Sequence, residues 1–230
     1  LVIFIYILIN IFETNFNKKN SFFLGLVLGL TFSGFYYFFI IQIISLFILI
    51  LINFNFKILS FLKLHFSNIL IIGLGFLIFA TPFVLLNMIF AEPDYAERLG
   101  DVSLSKDKKL ILLKYYLGLF LNFKFLSLIL INSAIFLFLM KLKIKNILFH
   151  KIPFVIFISS IISPILFFLI SPKTTLIYHF NNNIIICSFI SIIFFIISFY
   201  FNYLSNKKFF RLNYFFYIVI VLSVFYISNT

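Results

Sequence analysis

Six acidic residues occur in 230 positions, and five of them, Glu92, Asp94, Glu97, Asp101 and Asp107, fall in one short stretch. The sixth is Glu13. The cluster occupies the one strongly hydrophilic segment, 91–109, which reads AEPDYAERLGDVSLSKDKK and also carries Tyr95 and Arg98. A second polar segment, 171–182, reads SPKTTLIYHFNN and brings Lys173, Tyr178 and His179. Carboxylates on one segment with Lys and His on the other suit proton transfer to or from a hydroxyl beside an anion. Asp94 and Glu97 are the candidate catalytic carboxylates, acting as general base. Arg98, Lys173, Tyr178 and His179 are the candidate substrate-binding groups, the cations steadying a phosphate. The competing reading of 91–109 is a solvated loop that keeps its charges in water.

The elements that must position these residues are set by composition. Hydrophobic residues make up 64% of the chain and charged residues 10%, and the mean hydropathy is +1.22. A soluble domain carries about a quarter charged residues and at most about half apolar ones. So many Phe, Ile and Leu side chains can be accommodated only where helices face lipid. The expected fold is therefore all-α: one polytopic transmembrane bundle spanning 1–230, with about seven or eight membrane segments of roughly 20 residues each.

Residues 1–12 form an apolar stretch with neither an initiator Met nor a basic n-region. They are expected to be the tail of a truncated helix in a fragment of a longer chain. The apolar block 21–53 would reach about 50 Å as one straight helix, against a hydrocarbon core of about 30 Å. Thr31, Ser33 and Gly34 mark its expected break into two short helices, with a single long tilted helix as the alternative. Residues 54–67 read as a loop or interfacial segment and 68–90 as a span that Pro82 kinks. An interfacial helix to about 122 and a span over 125–140 follow. Spans over 153–171, 183–203 and 214–228 complete the pattern, separated by loops 141–151, 172–182 and 204–213.

Charge orients this pattern. Counting two crossings for 21–53, the loops 13–20, 54–67, 141–152 and 204–213 share one side and hold Lys18, Lys19, Lys57, Lys63, Lys141, Lys143, Lys145, Lys151, Lys207, Lys208 and Arg211. The opposite loops hold only Arg98, Lys106, Lys108, Lys109 and Lys173. The positive-inside rule assigns the richer set to the cytoplasm and makes 91–109 extracytoplasmic. A bacterial cytoplasmic membrane is the expected location.

Several functions are disfavoured. The basic residues sit in short segments between apolar runs rather than on a polar face beside aromatics, which fits anionic lipid and not nucleic acid. Cys187 is the only cysteine and lies in an apolar run, and no His/Asp/Glu spacing resembles a metal set. His65 and His150 fall in basic loops, where interfacial placement explains them. The expected spans contain no Asp or Glu, unlike most ion-coupled transporters. Gln42, Asn87, Asn132, Ser159 and Ser160 are expected to make interhelical hydrogen bonds, and Gly25, Gly29, Gly73 and Gly75 to serve close helix packing. NTPase, serine-hydrolase and zinc-protease motifs are absent from the sequence, and nothing in it specifies a cofactor.

The stretch KKNSFFLGLVLGLTFSGFYYFF, 18–39, carries Lys18, Lys19, Gly25, Leu26, Gly29 and Leu30. It resembles an element of polytopic GT-C-type glycosyltransferases, in which a basic cytoplasmic turn precedes a G-L-x-x-G-L run and short paired aromatic helices. The resemblance covers about a tenth of the chain and departs from the family in the uncharged residues 31–37. It implies an enzyme using a polyprenyl-phosphate-linked sugar donor at the outer face. It also implies a catalytic acid in an outer loop upstream of Leu1. A lipid-linked oligosaccharide flippase or transporter, or a polysaccharide polymerase, is the alternative.

Overall fold

The computed structural model describes residues 1–14, 16–55, 57–90, 110, 114, 117–118, 122–141, 148–170 and 177–205. Every element among them is an α-helix: α1 (Val2–Thr14), α2 (Lys18–Gly34), α3 (Tyr36–Asn53), α4 (Ile58–Leu64), α5 (Phe66–Phe90), α6 (Phe123–Lys141), α7 (Leu148–Ile170) and α8 (Ile177–Ser205). Four of them hold stretches long and apolar enough to cross a membrane: Tyr36–Asn53, Phe66–Ile89, Phe123–Lys141 and Asn181–Tyr200. The apolar stretches Val2–Phe12 and Lys151–Leu166 are shorter. Many Leu, Ile and Phe side chains point outward, among them Leu74, Ile89, Phe123 and Leu137. That placement is stable against lipid tails and costly against water. The chain is thus an all-helical integral membrane protein.

The block 21–53 is broken, and the cause is local. Thr31 Oγ1 lies 2.9 Å from the Val27 carbonyl oxygen, and Ser33 Oγ donates to the Leu30 carbonyl at 3.0 Å. Such back-bonding competes with the helix ladder, and Gly34 weakens it further. Phe35 stands between the two helices, with its N–H donating to the Thr31 carbonyl at 2.8 Å. At the other ends, Asn17 caps α2 by accepting from the Asn20 N–H at 2.7 Å. Asn55, with φ 47°, takes the left-handed conformation that stops α3. Asn122 Oδ1 accepts from the Lys124 N–H at 3.1 Å where α6 begins. Pro82 does not end α5, which runs on to Phe90.

Contacts between helices fix their directions. Asn68 Nδ2 donates to the Phe16 carbonyl at 2.7 Å, and Phe32 stacks edge-on to Phe83 at 5.8 Å. Gly25 lies against Ile72 and Gly75 between those points, and Gly29 against Phe76. Residue numbers therefore rise together along α2 and α5, which are parallel. Helix α3 must run back in the opposite direction. Phe54, just past α3, meets Phe61 and His65, and both touch Phe16, just ahead of α2. So α2 and α3 form a hairpin whose two feet stand together.

Helices α6 and α8 are also parallel: Asn132 meets Ser188, and farther along Phe136 meets Phe195. Helix α7 runs opposite to both, since Phe154 stacks on Phe136 at 4.1 Å while Phe157, Ile161 and Ile165 cluster with Ile184. Lys151, in the first part of α7, donates to Asn53 Oδ1 at the end of α3 at 3.1 Å. That bond joins the two halves of the bundle at the same end. Of the four long spans α8 is the most buried, with 50% of its stretch inside the bundle, against 11% for α5.

Candidate functional site

These directions sort the helix ends into two sets. The hairpin feet, the C-terminal end of α6, the start of α7 and the C-terminal end of α8 share one end of the bundle, which carries Lys18, Lys19, Lys57, Lys63, Lys141 and Lys151. The hairpin tip near Phe35, the end of α5 at Phe90 and the start of α8 at Ile177 lie at the other. The described lysines of 13–20, 54–67 and 141–152 therefore gather at one end, as their charge predicted.

Asp94, Glu97, Arg98 and Lys173 lie outside the described residues. Tyr178 and His179 fall within the first turn of α8, not in a loop reaching to 182. Polar residues at the head of a membrane helix keep the helical backbone, because its hydrogen bonds are closed within the segment whatever the side chains are. The segment 91–109 leaves α5 at the end of the bundle where α8 begins.

The bundle interior holds amides and hydroxyls. Among the described residues its buried polar side chains are Ser, Asn and Gln, with no charged group. Asn132, fully buried on α6, donates through Nδ2 to the Leu128 carbonyl at 2.9 Å and to Ser188 Oγ on α8 at 2.7 Å. Gln42 Oε1 on α3 lies 2.7 Å from Thr31 Oγ1 on α2. Gln42 and Asn132 thus make the interhelical bonds their sequence context predicted. Ser159, Ser160 and Ser163 instead satisfy carbonyls of their own helix, at 2.7, 2.6 and 3.1 Å. Cys187 is buried on α8. Amides and hydroxyls of this kind hold helices together and orient neutral ligands. They do not supply a base or a nucleophile near neutral pH.

Glycine packing follows the sequence expectation at three of four positions. A Cβ at Gly25 would enter the Ile72 carbonyl, one at Gly29 the Phe76 carbonyl, and one at Gly75 would stand 2.5 Å from the Phe22 carbonyl. Gly73 has open space around it. Of the residues that carried the family resemblance, Gly25 and Gly29 thus lie on the face of α2 that meets α5, whereas Leu30 is exposed.

The basic end has a feature that sequence reading missed. His65 packs at a tilt against Phe16, at 4.7 Å, and Phe61, at 5.1 Å, with Phe54 edge-on at 5.7 Å. Desolvation among these rings holds its imidazole below the usual 6.5. The Phe residues at 16, 54 and 61 were the visible signal, lost in a chain with 39 phenylalanines. No group of acids, histidines and cysteines that would hold a metal occurs among the described residues. No family model, curated protein or solved structure matches this chain.

Proposed function

We propose that this chain is the membrane core of a polytopic glycosyltransferase-like protein acting on a polyprenyl-phosphate-linked sugar at the face opposite its basic end. That face is the extracytoplasmic side of a bacterial cytoplasmic membrane. The reading takes α2 and α3 as a pair of crossings, and with 214–228 gives about seven or eight segments in all. The observation that carries it is the gathering of most of the described cations at one end of the bundle, opposite the end where α5 finishes and the acid-rich 91–109 follows in sequence. Helix α8 begins at that opposite end, with Tyr178 and His179.

In this reading Asp94 or Glu97 takes a proton from the acceptor hydroxyl, while Arg98, Lys173 and His179 neutralise the phosphate leaving group and Tyr178 contacts the sugar. Lipid-facing grooves between helices accept the prenyl chain. Membranes from cells expressing the protein, supplied with a polyprenyl-phosphate-linked radiolabelled sugar, should transfer label to an acceptor. Asp94→Asn and His179→Ala should each lower that rate at least tenfold, a usual loss for a general base or a charge-stabilising group. Full transfer by both variants removes these residues from the mechanism. No transfer by the unmodified protein with any such donor rejects the enzyme.

A flippase for the same lipid-linked sugars is the second reading. The buried hydroxyls of Ser159, Ser160 and Ser163 on α7 and of Ser188, Ser191 and Ser198 on α8 support it, as polar groups on facing helices. Proteoliposomes separate the two: a flippase moves labelled lipid between leaflets without consuming the donor.

A further inference from the structure

Helix α4 is seven residues long, too short to cross a membrane, and stands at the hairpin feet. Phe61 anchors it, packed against the rings of Phe16, Phe54 and His65 at 5.4, 4.8 and 5.1 Å. On the face turned away from Phe61, Leu59 is 75% exposed, and the exposed Lys63 follows one helical turn later. Leu62, Leu64 and Phe66 are exposed around them. Lys57 precedes the helix, Lys18 and Lys19 stand just past Phe16, and all three are exposed. Lys151 joins the same end through its bond to Asn53. Five lysines thus meet here, against one carboxylate in the adjoining segments, Glu13 at the end of α1.

Neither water nor hydrocarbon suits this surface. Water leaves Leu59, Leu62, Leu64 and Phe66 uncovered, and hydrocarbon strands the ammonium groups. The boundary layer satisfies both, with leucines at the acyl chains and lysine stems reaching up to phosphate. We propose that α4 and the hairpin feet form a docking surface for anionic lipid headgroups in the leaflet at the basic end. Lys57 and Lys63, with Lys18 and Lys19, take the headgroup phosphates, and the Phe16–Phe61–His65 cluster holds α4 at that depth. The occupant is a lipid because a free anion or a soluble polyanion would leave the exposed Leu and Phe uncovered. This surface does not depend on the glycosyltransferase reading.

The test is lipid retention. The purified protein, after exchange into detergent containing equal amounts of phosphatidylglycerol and phosphatidylcholine, should keep phosphatidylglycerol selectively by native mass spectrometry. The double variant Lys57→Gln/Lys63→Gln should lose about tenfold of that preference. Lys124→Gln, at the opposite end of the bundle, should keep it, and inorganic phosphate should not displace the lipid. A second measurement reports depth. A polarity-sensitive fluorophore on Leu59→Cys, in nanodiscs of the same lipids, should be quenched by lipids brominated near the top of the acyl chain and not by aqueous iodide. Cys187 is buried, so the label reports position 59 alone. Equal retention of both lipids, unchanged preference in the double variant, displacement by phosphate, or quenching by iodide would each overturn the proposal.

Discussion

Thr31 Oγ1 and Gln42 Oε1 lie 2.7 Å apart across the α2–α3 break, although about 16 Å would separate their positions along a continuous helix. The pair shows how tightly the hairpin tip is folded, and it is finely balanced. One Thr31 proton faces three acceptors, Gln42 Oε1 and the Val27 and Leu28 carbonyls. Thr31→Val should destabilise the bundle by about 1 kcal/mol, because it strands a fully buried amide. Adding Gln42→Leu should recover most of the loss, since replacing both partners with apolar groups removes the unpaired amide. Unfolding by denaturing detergent in bicelles measures both. Additive losses in the double variant would show that the two side chains do not interact.

The glycine contacts of α2 with α5 predict a contrast between neighbours. Gly25→Ala and Gly29→Ala should each cost about 1–3 kcal/mol, because the new Cβ meets backbone rather than a movable side chain. Gly73→Ala, two residues from Gly75, should be neutral or stabilising by about 0.5–1 kcal/mol, as its Cβ enters open space and stiffens a helix interior. The same unfolding assay reads all three, and equal losses would reject the parallel α2–α5 packing.

His65 gives α4 a pH dependence of definite sign. Its folded pKa lies below the ordinary 6.5 because of desolvation against the Phe rings. Between the two values the unfolded segment binds more protons than the folded one. The contribution is therefore fully present above pH 6.5 and fades as pH falls towards the folded pKa. Amide hydrogen exchange in α4, corrected for intrinsic rates, should accelerate as the buffer is taken from above to below that value. His65→Phe should abolish the trend while keeping the ring cluster. Acceleration that persists in the variant would assign it to another group.

Helix directions and charge together predict which ends face the cytoplasm. In a Cys187→Ser background, a single cysteine at Ser103 should react with an impermeant thiol reagent in intact cells, and one at Asn206 only after permeabilisation. The reverse pattern would invert the assignment.

Much of the local structure was legible in the residues. An apolar run longer than a membrane core favoured a break in 21–53 over one long tilted helix, and Ser33 and Gly34 placed it within two residues of Phe35. Gln42 and Asn132 announced interhelical bonds because an amide in an apolar span needs a partner. Where a helix begins among polar residues was less legible. Helix α8 starts at Ile177 instead of after Asn182, because the backbone ladder continues past the last apolar residue. Site residues Asp94, Glu97, Arg98 and Lys173 rest on sequence alone.

The sequence by itself determined that the chain is helical and membrane-borne, and which segments carry its cations and acids, since these follow from composition and local hydrogen bonding. Only the tertiary structure decided that α2 lies parallel to α5, that Gln42 answers Thr31 and Asn132 answers Ser188, and that His65 sits among three phenylalanines. The reason is physical. In a membrane protein the lipid-facing and protein-facing sides of a helix are equally apolar, so no stripe of hydrophobicity marks the buried side. Neighbours are chosen by shape and by single polar atoms, and those matches exist only once the helices are brought together.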